Sequence, residues 1–149
     1  MRISLATIKD IKNISDLEYG SNYRWRGSKK EELKRVEDLF SKGYCEIYIL
    51  RDKSPAGYFA ISFDKKKKIC YLNYFAVSKK FQGRGFAKLM MKKIISIAKR
   101  NKCKSIELAV WAKNFSAIGL YNKFGFRFTE IKKNYYPNKD DKVRMILEF

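Results

Sequence analysis

The chain has 149 residues, 46% of them hydrophobic and 15% aromatic, with 34 Lys and Arg against 15 Asp and Glu for a formal charge of +19. That is enough apolar sequence for one packed core and too little for two ordinary domains, so residues 1–149 are expected to form a single domain rather than a disordered chain. The absence of histidine and the spacing of Cys45, Cys70 and Cys103 argue against structural zinc or a disulfide framework and rule out a Cys–His nucleophile; no metal site is expected.

In chain order, residues 3 to 9 read as a first strand, and Asp10 reads as the N-cap of a short helix reaching about Glu18. Charged residues at Lys9, Asp10 and Lys12 interrupt any apolar leader, and no apolar run approaches the ~20 residues of a membrane span. A cytoplasmic protein with no membrane partner is expected. A polar and aromatic loop follows from Tyr19 to Ser28. Ser28 and Glu31 have capping-box spacing, and Leu33, Val36, Leu39 and Phe40 then recur on one helical face to about Ser41.

Strands Tyr44 to Arg51 and Ala56 to Phe63 flank the turn residues Asp52 to Pro55, and a second turn, Asp64 to Lys68, leads into a strand from Ile69 to Val77. A helix from Phe86 to Arg100, a strand from Ser105 to Trp111, a helix from Asn114 to Phe124 and strands at Phe126 to Asn134 and Lys142 to Phe149 complete the pattern. Cys45 and Cys70 fall in strands as small buried hydrophobes, and Cys103 falls in a turn where its thiol could be exposed. The order β-α-α-β-β-β-α-β-α-β-β predicts an α/β fold, a mixed sheet with helices on both faces.

The strand ending at Val77 runs into its helix through Gln82-Gly83-Arg84-Gly85-Phe86-Ala87. A glycine-rich turn at a helix N-terminus presents unpaired N–H groups at the positive end of the helix dipole, which suits a diphosphate. Farther on, Asn114 and Tyr121 lie seven residues apart, two turns along one helical face, so both can address one cleft.

Gln82, Gly85 and Ala87, followed by Asn114 and Tyr121, resemble the signature of the GCN5-related N-acetyltransferases. Within that family, the stretches Asn114 to Phe126 and Lys133 to Asn138 are most similar to ribosomal-protein N-terminal alanine acetyltransferases. The resemblance implies the acyl-CoA N-acyltransferase fold, in which the sheet splays between the strands at 69–77 and 105–111. It also implies acetyl-CoA as cosubstrate, its pantetheine held by Phe75, Ala76 and Val77 and its pyrophosphate by Gly83 to Lys88 (Gly83, Arg84, Gly85, Phe86, Ala87, Lys88), with Gln82 and Asn114 alongside. Tyr121 resembles the family's general acid; a phenol, which ordinarily titrates near about 10, can protonate a thiolate whose thiol titrates near about 8.5. Tyr135 and Tyr136 match residues that hold a peptide N-terminus.

The general base departs from the pattern. Where the resembling enzymes carry a glutamate, this chain has Ala109. Period-two alternation puts Glu107 on the face of Ala109 and Trp111, and puts Tyr71, Asn73 and Phe75 on one face of the neighbouring strand; Tyr71 also resembles a tyrosine that acts through water in another type of N-terminal acetyltransferase, so Glu107 and Tyr71 are the two candidates. The activity implied is acetyl transfer to a primary amine, most simply a protein N-terminus. An α-amine near pKa 8 is about 10% neutral at pH 7, whereas a lysine amine is neutral in less than about 0.1% of molecules. The alternatives are a small-molecule amine acetyltransferase of polyamine or aminoglycoside type and a non-catalytic acyl-CoA or RNA-binding module. The +19 charge admits a surface bias or attraction to a ribosome; no sequence-specific nucleic-acid partner is expected.

Overall fold

Ile69 to Val77 has the apolar, aromatic-rich composition of a strand covered on both faces, and the other elements assemble around it. The computed structural model describes residues 1–20 and 27–149. Its strands are β1 (Arg2–Leu5), β2 (Glu46–Asp52), β3 (Ser54–Asp64), β4 (Ile69–Val77), β5 (Ser105–Trp111), β6 (Arg127–Lys132) and β7 (Lys142–Glu148). The helices are α1 (Ile11–Tyr19), α2 (Lys29–Lys42), α3 (Phe86–Arg100) and α4 (Phe115–Lys123), with short 3-10 turns at Ile8–Asp10 and Lys79–Phe81. The element order is the one expected. Most of the loop between Tyr19 and Ser28 lies outside the described residues.

The sheet order is β1-β2-β3-β4-β5-β7-β6. Among the described strands only β4 and β5 run parallel, which requires a long crossover, and α3 supplies it. On the α1/α2 face Ile14, Leu17, Val36 and Leu39 pack against Ile49, Tyr58, Ala60 and Ala76. On the other face Met90, Met91, Ile94 and Ile97 of α3, with Tyr121 of α4, pack against Phe59, Ile61, Leu72, Ile106 and Leu108. The sheet is thus the middle layer of three.

Three local readings need correction. β1 stops at Leu5 because the Thr7 N–H donates to Asp10 Oδ2 (2.9 Å), closing a 3-10 turn where strand was expected. Asp10 makes no side-chain cap bond to α1; its carboxylate faces back to Thr7 and pairs with Arg51. By contrast, the Ser28–Glu31 capping box forms as expected, with the Glu31 N–H donating to Ser28 Oγ at 3.3 Å.

The third correction concerns the faces of β4. Its register with β3 runs Phe59↔Phe75, Ala60↔Tyr74, then Ile61↔Leu72, so Asn73 is an extra residue, a β-bulge. The bulge inverts the alternation. Leu72 and Phe75 face the α3/α4 core, whereas Tyr74 faces α1/α2. Tyr71 therefore does not share a face with Phe75, as strict alternation had suggested.

Candidate functional site

The turn before α3 has the backbone of an anion cradle. Gly83 and Gly85 have φ of +74° and +83°, conformations that side chains rarely adopt, and a Cβ built on either would meet nothing within 4 Å. Gly85 is the N-cap of the 15-residue α3 and contributes no side chain to its first turn. The Gln82 amide donates to the Val77 carbonyl (3.1 Å), tying the turn to the end of β4, and the Arg84 guanidinium lies over Phe81 and Phe86 at 5.4 and 5.6 Å. Open space, left-handed glycines and a helix N-terminus fit a pyrophosphate, with Phe86, Ala87 and Lys88 forming the first helical turn.

β4 and β5 pair only from Ile69↔Ser105 to Leu72↔Leu108. Beyond that, Tyr74 to Val77 keeps its pairing with β3, and Ala109 to Trp111 keeps its pairing with β7, but the two strands no longer pair with each other. A parallel seam of four positions thus opens into a split. Along β4, Phe75 and Val77 turn their backbone groups to this split, the Val77 carbonyl being held by Gln82, whereas Ala76 turns its carbonyl toward Gly57 of β3; the freed groups can bond an amide-bearing chain as an added strand.

Tyr121 reaches this region from α4. It is 5% exposed, its ring set edge-on to Phe75 with centroids 6.4 Å apart and tilted against Phe126 at 5.6 Å. Phe75 belongs to the part of β4 beyond the seam, so Tyr121, a buried member of the core on the α3 side, also borders the split. Asn114 is the N-cap of α4: its Oδ1 accepts from the Ala117 N–H at 3.2 Å. The helix begins one residue later than expected, and Asn114 fixes where it begins.

On the opposite face of the sheet lies a cleft of ≈ 340 Å³ lined by Ser62, Tyr71, Asn73, Glu107, Ala109 and Arg144, among others. Tyr71 and Glu107 are register partners across the β4–β5 seam, so the two candidate bases are neighbours. Glu107 accepts from Arg144 Nη2 at 3.2 Å, and Arg144 also pairs with Glu130 at 3.6 Å. Ser62 Oγ lies 2.9 Å from Asn73 Oδ1, which holds the bulge against β3. Ala109 leaves the mouth of the split without a side chain beyond Cβ.

Tyr135 and Tyr136 stand in the loop between β6 and β7. Their rings meet edge-on at 5.2 Å, and Lys142 Nζ sits 3.5 Å from the Tyr135 ring centroid. Both backbone N–H groups donate to the Asp140 carbonyl, at 3.0 and 3.1 Å. The Asp140 carboxylate accepts from Trp111 Nε1 (2.8 Å) and pairs with Lys113 (2.7 Å), and the Lys113 bond foremost holds its pKa below the ordinary carboxylate value. The aromatic pair is thereby anchored to the end of β5, beside the cleft. Tyr135 is 52% exposed.

Arg144, Lys142 and Asn73 were not anticipated at the site. Period two along β7 places Lys142 and Arg144 on one face, but only its pairing with β5 brings that face to Glu107. All three thiols are poor nucleophiles: burial pushes Cys45 up to about 11, Cys70 up to about 12, and Cys103 upward as well. Cys103 is half-buried, not an open thiol. Among the described residues no group of acids, histidines and cysteines could hold a metal ion.

The profile of the Acetyltransferase (GNAT) family matches residues 8–126. A probable spermine N(1)-acetyltransferase of Bacillus subtilis subsp. natto is 41% identical over 66 residues, 44% of this chain and 43% of that protein. A ribosomal protein bS18-alanine N-acetyltransferase of Haemophilus influenzae is 42% identical over 62 residues, 42% of each chain. Both matches span less than half of the relative's length. The ribosomal-protein-S18-alanine N-acetyltransferase structure from Escherichia coli superposes with a TM-score of 0.82 over 99% of this chain and 92% of its own, at 21% identity. The yncA structure from Salmonella typhimurium, which holds its cofactor acetyl-CoA, superposes with a TM-score of 0.77 over 99% and 93% at 18% identity. These two likenesses establish the fold.

Proposed function

The chain belongs to the GNAT acetyltransferase family, and on that premise we propose that it transfers an acetyl group from acetyl-CoA to the α-amine of a protein N-terminus. The observation that carries this reading is the cleft opposite α3, where Lys142 and Arg144 line the wall and Glu107, the one carboxylate among the described lining residues, is ion-paired. That lining accepts a single amine on an extended chain and disfavours a polycation, as does the +19 charge of the molecule.

When bound, acetyl-CoA supplies a thioester whose carbonyl carbon takes the amine and whose sulfur leaves. The freed edge of β4 from Phe75 to Val77 orients the pantetheine, and the turn from Gly83 to Lys88 binds the diphosphate with Gln82 and Asn114 holding its flanks. Tyr121 holds the proton that the departing sulfur requires. Glu107 takes the proton of the amine. Its neighbour Tyr71 is the second candidate, because the same register position brings its ring to the same cleft. Tyr135 and Tyr136 form the aromatic wall against which the acceptor's first residues lie.

A second reading, a small polyamine acceptor, is supported by the spermine N(1)-acetyltransferase relative. The test is thiol release from acetyl-CoA with peptides bearing free N-termini, N-terminally blocked lysine peptides, and spermine or spermidine. Preference for free N-termini supports the main reading; turnover on polyamines alone supports the second. Tight coenzyme binding with no turnover on any amine overturns both and leaves a binding module.

A further inference from the structure

The end of the sheet away from the split carries a concentration of positive charge that acetyl transfer does not use. The turn between β3 and β4 holds four consecutive lysines, Lys65 to Lys68, all exposed. The loop between α3 and β5 adds Lys102 and Lys104, also exposed. These segments are separated in sequence but joined in space, since the Lys104 N–H donates to the Lys68 carbonyl at 2.7 Å. Among the described residues none of the six lysines has an ion-pair partner. The nearby carboxylate of Asp64 is occupied within the turn, accepting from the Lys67 N–H at 2.9 Å. Helix-terminal cations such as Arg100 are explained by the dipole of α3, but a run of four in a β-turn has no such local use. Mutual repulsion makes it an unfavourable choice for a turn alone.

We propose that this end of the sheet binds the phosphate backbone of structured RNA. Six lysines on two adjoining loops match a polyanion with closely spaced charges, and lysine on a flexible stem follows phosphates without reading bases. A lipid surface is the less suitable partner, because among the described residues a single exposed ring, Phe149, borders the patch through its N–H on the Lys104 carbonyl, and that ring is engaged by Lys99 Nζ at 5.2 Å, which leaves no apolar face to insert. The patch is also close to the acceptor cleft: Lys68 precedes Tyr71 by three residues, about 10 Å at the rise of a strand. An acceptor protein still attached to RNA could then offer its N-terminus while the RNA rests on the lysines. This last step rests on the function proposed above; RNA binding does not.

The experiment uses the full chain and a labelled RNA duplex of about 20 base pairs in fluorescence anisotropy, across a salt series. Two triple variants with equal charge loss are compared: Lys65→Gln/Lys66→Gln/Lys67→Gln on the patch and Lys9→Gln/Lys12→Gln/Lys30→Gln at exposed positions of the turn before α1, of α1 and of α2. The patch triple is expected to lose at least about tenfold in affinity and to flatten the log–log salt slope by about 2, with the control triple changing less than about twofold. Equal losses in both triples, no binding by the parent chain, or patch-dependent binding to phosphatidylserine vesicles with none to RNA would each overturn the proposal. Acetylation of a short free peptide is measured in parallel. Its rate should be the same in the patch triple and the parent, so failure of RNA binding and failure of acetyl transfer are read separately.

Discussion

On the function proposed above, single side chains carry the chemistry of acetyl transfer, and two of them can be separated by substitution. Tyr121→Phe keeps the ring between Phe75 and Phe126 and removes only the hydroxyl, so kcat should fall about 100-fold or more with the coenzyme KM nearly unchanged. Full activity in that variant would end the general-acid assignment. Glu107→Gln is expected to lower kcat/KM at pH 7 by about 30-fold and far less at pH 9, where an α-amine of pKa near 8 is already mostly neutral. A loss independent of pH would point to positioning through Arg144, and an unaffected Glu107→Gln would move the role to Tyr71. At this scale the sequence was informative about residue types and silent on partners. Glu107 could be placed on a face by counting in twos, but its bond to Arg144 depends on β7 lying between β5 and β6, which no local pattern dictates.

Elements are where local physics was most legible. The bounds of β4, α3 and β5 agree with those read from the sequence, because apolar runs end at glycine, lysine or asparagine turns that leave little choice. Two features escaped. The bulge at Asn73 has no sequence mark, since the register of β4 against β3 is a tertiary property, and it alone moves Phe75 to the face where Tyr121 finds it. Asp10 has the right type for a helix cap, yet Thr7 and Arg51 compete for its carboxylate and win. The closeness of β3 to β4 near the split is set by Gly57, where an added Cβ would lie 2.7 Å from the Ala76 carbonyl oxygen and 3.0 Å from Met90 Sδ. Gly57→Ala should therefore cost about 2 kcal/mol of stability, read as a lower midpoint in urea at unchanged slope. An unchanged midpoint would mean that β4 yields there without cost.

For the molecule as a whole, the four-position seam has a mechanical meaning. It divides the sheet into two slabs, β1 to β4 and β5 to β7, joined along the strand direction for only part of their height and bridged behind by α3. Such a body opens like a book with a short spine. A ligand laid between the covers acts as a splint as well as a reactant, and its binding energy appears as resistance to unfolding, about 2.7 kcal/mol at a hundredfold excess over Kd. Amide hydrogens of Asn73 to Val77 that face the split should exchange with solvent faster than those facing β3, and coenzyme A should slow that faster set. Rigidity in this chain would then be something the coenzyme lends for the duration of its stay.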